Sequence, residues 1–325
     1  MLAFMAASPA FAQDAPRPAP LPLFHAPVAT DAGGGAGLPT APTERTVETI
    51  PIGPDNAAEA IATATADPQP VQLTAMITDG GRTIGEGLVW RIYKTRADAT
   101  GGLELADKSE SAVANLELVP GNYVVHVAYG RAQASDTITV AEGNNSKNVV
   151  LEAGGLRLNA AVTGDVPIPI NLLRFEVFTA GASDADRALI AQNLGANDIL
   201  TVNAGTYHIV SYFGEVNAVV RADLRVEPGQ LTDATLYHRA AQVSFKLVSE
   251  PGGEAIADID WTVKTADGVN TVYSDTGAFP STVLQEGDYM VFAQRGDTVF
   301  NREFEILPGQ PEEIEVLTTV YQPPA

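Results

Sequence analysis

The sequence repeats one short pattern three times: a glycine, a tyrosine two residues later, and a second glycine seven residues after the tyrosine. The tyrosines are 84 and 82 residues apart. A period of this length is typical of one small β-sandwich, so we expect three similar modules in series. The residues of the pattern are Gly121, Tyr123, Gly130, Gly205, Tyr207, Gly214, Gly287, Tyr289 and Gly296.

The glycine–x–tyrosine step predicts a structural role. A glycine at the start of a strand permits a tight turn that a Cβ atom would obstruct. The tyrosine ring then packs inward, and its hydroxyl can reach a backbone group at the corner of the sandwich.

After residue 70, the sequence pattern is typical of short β-strands. Leu88–Tyr93 and Tyr123–Tyr129 alternate or are rich in β-branched and aromatic residues, which suit a half-buried pleated surface. Gly, Pro, Asn and Asp clusters interrupt such runs every 8–12 residues, as in all-β sandwiches. We therefore predict an all-β chain with about seven strands per module. Ser183–Asn197 reads differently, as a helical turn or two capped by Ser183.

Residues 13–70 contain 11 of the 22 prolines and a run of three glycines. Such a segment cannot bury enough apolar surface to order itself, so it is predicted to be a disordered tether. Within it, residues 56–66 are alanine-rich and predict one short helix. The predicted domains are a signal-peptide remnant (1–12), the tether (13–70), three sandwiches (71–154, 155–239 and 240–318) and a tail (319–325).

The N-terminus indicates export. Residues 2–7 are apolar, and Ala10-Phe11-Ala12 fits the small–x–small rule of signal peptidase cleavage. No later stretch approaches the 18 apolar residues of a spanning helix, so the chain is predicted not to be an integral membrane protein. The net charge of −21 would repel phosphate backbones and argues against nucleic-acid binding.

No residue pattern predicts catalysis, a cofactor or a metal. The absence of cysteine excludes thiolate chemistry and disulfides, and no nucleophile elbow, phosphate-binding loop or zinc motif occurs. Solvated carboxylates are favoured over calcium ligands, and scattered structural or exposed histidines over a metal site. The residues considered were Asp184, Asp186, Asp258, Asp260, His25, His126, His208 and His238.

Three aromatic residues are candidates for a binding surface. Tyr129 and Phe213 directly precede the second glycine of their repeats, Tyr212 adjoins Phe213, and Arg295 holds the equivalent place in the third repeat. Aromatic rings near a strand end can stack on sugars or anchor a protein partner. The competing interpretation, plain core packing, is favoured because Tyr129 shares its strand face with Tyr123.

The frame Leu-x-Pro-Gly-x-Tyr-x-Val at 118–125, with the later Pro-Gly turns, resembles carboxypeptidase-regulatory-like (transthyretin-like) β-sandwich modules. It is also similar to the B-type repeats of bacterial surface proteins. The resemblance implies immunoglobulin-like sandwiches that are non-catalytic, and the N-terminal export pattern predicts that they lie in the periplasm or at the cell surface. It further implies a spacer or accessory subunit with a protein partner in the cell envelope. The alternative is an array of carbohydrate-binding modules, with a glycan as ligand.

Overall fold

The computed structural model describes residues 66–97 and 102–318, and these fold almost entirely into β-strands. The all-β prediction is confirmed. The predicted signal peptide, tether, alanine-rich helix and tail lie wholly or almost wholly outside the described residues.

The first module consists of two sheets built from seven strands. Three strands form one sheet in the order β4-β1-β7, and four form the other in the order β3-β2-β5-β6. The strands are β1 (Gln69–Met76), β2 (Leu88–Ala97), β3 (Leu103–Ser109), β4 (Val113–Leu118), β5 (Gly121–Tyr129), β6 (Ala132–Val140) and β7 (Asn145–Val150).

The second module repeats this arrangement with the orders β12-β8-β15 and β11-β10-β13-β14. A two-residue strand, β9, pairs additionally with β8. The strands are β8 (Ala153–Val162), β9 (Val166–Pro167), β10 (Leu173–Thr179), β11 (Leu189–Leu194), β12 (Ile199–Asn203), β13 (Gly205–Phe213), β14 (Ala218–Val226) and β15 (Leu231–His238). Short 3₁₀ helices occupy Ile170–Leu172 and Asp184–Asp186.

The third module has the orders β19-β16-β22 and β18-β17-β20-β21. Its strands are β16 (Ala240–Val248), β17 (Asp260–Thr265), β18 (Thr271–Thr276), β19 (Ser281–Gln285), β20 (Gly287–Arg295), β21 (Thr298–Ile306) and β22 (Glu312–Leu317). In every module the first strand pairs antiparallel with the fourth long strand and parallel with the last.

Each module encloses its own hydrophobic core, because alternate residues of its strands point inward. Trp90 lies at the centre of the first core and donates its indole N–H to the Ser111 carbonyl. Trp261 takes this place in the third core, where it donates to the Gly277 carbonyl and stacks on Phe245. Burial of these two rings contributes to the hydrophobic free energy that stabilises the first and third modules.

The three repeat tyrosines make the same hydrogen bond. The hydroxyl of Tyr123 donates to the backbone carbonyl four residues earlier at 2.9 Å, and Tyr207 and Tyr289 do the same at 2.8 and 2.9 Å. All three rings are buried. Each tyrosine therefore ties the start of its strand to the end of the preceding strand.

Two local features differ from what their sequence favours. Gly154 and Gly155 stand between two strand-like runs, as a short linker would, yet they lie inside β8, where the turn between β14 and β15 packs directly against them. A Cβ atom at Gly154 would lie 2.6 Å from Val226 Cγ1. The Ser183 region forms only one 3₁₀ turn before β11, and the Ser183 hydroxyl bonds Asp186 instead of capping the backbone.

Candidate functional site: the joints between modules

The connections between modules are very short. Only Leu151 and Glu152 separate β7 from β8, and only Arg239 separates β15 from β16. Consecutive modules therefore meet directly, and the contacts that they make at these two joints are specific.

At the first joint the hairpin between β5 and β6 docks on the open edge of β12. The backbone N–H of Arg131 donates to the Thr201 carbonyl at 2.9 Å. Farther along, the Asn203 side chain accepts from the Gln133 N–H at 3.1 Å and donates to the Gln133 carbonyl at 3.0 Å. The start of β6 thus extends the second module's sheet, partly through an amide side chain that imitates a peptide group.

The connecting segment is fastened by the same residue. Asn203 also donates to the Leu151 carbonyl at 2.8 Å, and the Ala204 N–H donates to the Glu152 carbonyl at 2.6 Å. Because the Tyr207 hydroxyl donates to the Asn203 carbonyl, the joint is coupled to the tyrosine corner of the second module.

The second joint reuses this geometry with different side chains. The hairpin between β13 and β14 docks on β19, where the Gln285 N–H donates to Asn217 Oδ1 at 2.9 Å. The amide of Asn217 in turn donates to the Tyr289 hydroxyl at 2.9 Å. An asparagine and a repeat tyrosine again link the two modules, although here the asparagine belongs to the docking hairpin.

An ion pair lies beside the second joint. The Arg239 guanidinium contacts both carboxylate oxygens of Glu286 at 2.5 and 2.8 Å, and the Glu286 N–H donates to the Arg239 carbonyl. The hydrogen bond from Arg239 holds the pKa of the Glu286 carboxyl below its usual range. Because this pair is solvent-exposed, its contribution to stability is small.

The two joints are equivalent in the repeat. In each, the second glycine of one repeat meets the residue six positions before the tyrosine of the next. A Cβ atom at Gly130 would lie 3.1 Å from Thr201 Cβ, and one at Gly214 would lie 2.7 Å from Val283 Cβ. Glycine is required at both places, since φ is also positive, at +61° and +71°.

A second contact supports each joint. At the first joint, the loop after β1 approaches the turn before β15, where a Cβ at Gly229 would lie 3.3 Å from Thr78 Cγ2. At the second joint, Pro167 and Phe213 line a cavity of about 260 Å³ together with Gln242 and Pro311 of the third module. Each joint thus contains two separate contacts between the neighbouring modules.

The three candidate aromatic residues lie at or near these joints. Phe213 is 3% exposed and packs edge-on against His238, so its ring is not presented to solvent. Tyr212 is half-buried, with the Arg174 guanidinium 3.8 Å above its ring and its hydroxyl bonded to Glu176. Tyr129 packs against the first core and borders an open groove. A binding role for them remains a prediction.

Sequence reasoning missed two histidine pairs in the second module. His238 Nε2 lies 2.8 Å from the Ser211 hydroxyl, and both residues are fully buried. Burial therefore prevents this serine–histidine pair from meeting a substrate, and it lowers the pKa of His238 to about 4. His208 Nδ1 lies 2.7 Å from an Asp223 carboxylate oxygen. Both pairs connect residues on different strands, which no local motif signals.

The described residues contain no cluster of three or more potential metal-ligating side chains among His, Cys, Asp and Glu. Asp184 contacts Arg187, and Asp186 accepts from Ser183. Within the same residues, no helix has the length and apolar character needed to cross a bilayer.

Comparison with known families and structures gives one partial match and several distant ones. The family described as the Rhizobiales growth-associated tandem repeat domain matches residues 242–318, which correspond to the third module. A search of curated proteins returned no significant match.

Three solved structures illustrate the distant likeness. The Bacillus anthracis TIE protein is 12% identical, with 77% of this chain and 50% of that chain covered and a TM-score of 0.25. The minor pilin GBS52 of Streptococcus agalactiae is 11% identical (52% and 95% covered, TM-score 0.32), and the major pilin BcpA of Bacillus cereus is 10% identical (78% and 100%, TM-score 0.21). This chain spans half the length of the TIE protein. Scores this low support no inference about function.

Proposed function

We propose that the chain is a non-catalytic, exported protein that acts as a semi-rigid spacer or accessory subunit of a bacterial cell-envelope assembly. The observation that carries this proposal is the pair of equivalent joints. Direct hydrogen bonds and glycine-to-side-chain packing oppose hinge motion between modules, as a spacer requires. The N-terminal export pattern supports a periplasmic or cell-surface location.

Rigid joints predict narrow distance distributions between spin labels on neighbouring modules. The chain has no cysteine, so single cysteines at the exposed positions Thr137, Arg221 and Glu303 would label the three modules selectively. We expect Asn203→Ala to broaden the 137–221 distribution, because it removes three hydrogen bonds at the first joint. The 221–303 distribution is the matched control and should stay narrow. Broad 137–221 and 221–303 distance distributions in the labelled chain that keeps Asn203 would rule out a spacer.

A subunit role predicts a protein partner. Affinity purification of the tagged endogenous protein from gently solubilised envelopes, followed by mass spectrometry, should recover a stoichiometric membrane or surface component. Recovery of a lone monomer would contradict the subunit role while leaving the spacer geometry intact.

Glycan binding is the second candidate, and one groove favours it. Tyr129 borders a groove of about 470 Å³ that Ile77, Arg82, Ile84 and Glu86 also line. An aromatic ring flanked by charged side chains is a common platform for a sugar. Binding to a polysaccharide array that Tyr129→Ala abolishes without lowering thermal stability would favour this function over the structural one.

A further inference from the structure

At each internal joint, a hairpin of one module docks on the exposed edge of a strand in the next module, here called the receiving edge. One such hairpin and one such edge have no counterpart among the described residues. The hairpin between β20 and β21 corresponds to the two that dock, yet a Cβ atom at Gly296 would meet nothing within 4 Å. At the other end of the described chain, β4 corresponds to β12 and β19. Glu117 occupies the receiving position, six residues before Tyr123.

The edge of β4 is able to accept a strand. Among the described strands, β4 pairs with β1 alone, and Glu117 faces Pro70, which has no N–H to donate. The Glu117 carbonyl therefore has no partner in β1, like the Thr201 carbonyl that receives Arg131 at the first joint. An open strand edge of this kind is a template for pairing with another chain.

A groove runs across the same sheet, beside this edge. Its volume is about 430 Å³, and residues of β4, β1 and the start of β7 line it, among them Pro70, Asn115, Glu117 and Asn144. Two of these positions correspond to residues of the cavity at the second joint. Pro70 and Gln242 both face the receiving residue, and Asn144 and Pro311 both directly precede the last strand of their module. The groove therefore lies where a preceding module docks in the other two modules.

The two unmatched surfaces differ from the internal joints in a complementary way. Inside the chain, the residue before the hairpin glycine is aromatic, Tyr129 or Phe213, and the receiving residue is Thr201 or Val283. At the two unmatched surfaces these positions hold Arg295 and Glu117, both exposed. Uncharged residues at the internal joints are thus replaced by residues of opposite charge, which favours association of one surface with the other.

We propose that the hairpin at Arg295–Thr298 of one copy docks on the β4 edge of a second copy, so that chains associate end to end. In this contact the Asp297 N–H donates to the Glu117 carbonyl, as the Arg131 N–H does to Thr201, and Arg295 pairs with the Glu117 carboxylate. The contact is heterologous, since two different surfaces meet, and it therefore allows growth beyond a dimer. This inference does not depend on the proposed envelope function.

A charge reversal tests the specific pair. Sedimentation velocity of the full chain over a series of concentrations, at about 0.15 M salt where charge repulsion between copies is screened, should show self-association. Arg295→Glu and Glu117→Arg should each weaken it at least tenfold, and the two changes combined should restore it. Both side chains are exposed, so the variants are expected to fold. A chain that stays monomeric throughout, or a double variant that remains as weak as the singles, would overturn the proposal.

Cysteine cross-linking locates the contact while leaving the charge pair intact. Under mild oxidation, a mixture of Val119→Cys and Val299→Cys chains should form a disulfide-linked dimer, because the equivalent residues contact each other at both internal joints, Asn203 with Gln133 and Gln285 with Asn217. A mixture of Val119→Cys with Glu303→Cys is the control, because Glu303 is an exposed position on β21 outside the hairpin. Equal cross-linking in the two mixtures would indicate random collision and exclude the docking geometry.

Discussion

Alanine at Gly214 is expected to destabilise the protein most, alanine at Gly130 less, and alanine at Gly296 least. All three glycines begin the same hairpin at a positive φ, +71°, +61° and +58° respectively. The backbone strain of a non-glycine residue there is therefore similar, about 1 kcal/mol. The three positions differ in the space that a Cβ atom would find.

The distances decide the order. A Cβ at Gly214 would come within 2.7 Å of Val283 Cβ and 2.9 Å of its Cγ2, and a fully buried valine has little freedom to move. At Gly130 the contact with Thr201 Cβ is 3.1 Å, while the Gly296 position is open. Overpacking adds roughly 1–3 kcal/mol. We expect total losses of about 3 kcal/mol for Gly214→Ala, about 2 for Gly130→Ala and about 1 for Gly296→Ala.

Urea unfolding monitored by circular dichroism measures this series. Gly296→Ala is the internal control, because it carries the strain without the contact. If all three variants lose the same free energy, the docked hairpins do not constrain the joints, and the spacer proposal loses its main support. Hydrogen exchange should place the extra opening of Gly214→Ala at β19.

The repeat fold was predictable because its signals are local. The glycine–x–tyrosine step, the alternating strands and the tyrosine hydroxyl bond all involve residues within a few positions of one another. The residues at which the strands begin and end were less predictable. Strand β1 begins at Gln69, inside the predicted tether, because Gln69 and Pro70 pair with β4.

The joints were not predictable, since they connect residues about 70 positions apart. Gln133 and Asn203 carry no motif that links them, and Asn217 reads as an ordinary turn residue. Gly154-Gly155 illustrates the same limit. A glycine pair between two strand-like runs favours a linker. Here the two glycines lie within one continuous strand, and their lack of side chains leaves room for the neighbouring turn to pack against it. Only the tertiary structure distinguishes the two cases.

Acidification is expected to weaken the second module through His238. Its ring is 1% exposed, and burial lowers its pKa from 6.5 to about 4. The folded state therefore keeps the ring neutral at pH values where the unfolded chain already binds a proton. Stability from this group is fully present above about pH 6.5 and is lost as the pH falls towards 4. The difference in pKa corresponds to about 3 kcal/mol.

His238→Gln isolates this effect. The glutamine amide can still bond the Ser211 hydroxyl but has no proton to gain in this range. At pH 7 the variant should be less stable, because it loses the edge-on contact with Phe213. Urea unfolding at pH 7, 6, 5 and 4 should show the gap between the two proteins narrow by up to about 3 kcal/mol. Carboxylates titrate in both proteins and cancel in the difference. A gap that stays constant would mean that the folded state accommodates a protonated His238, either by admitting water or by opening the joint beside Phe213.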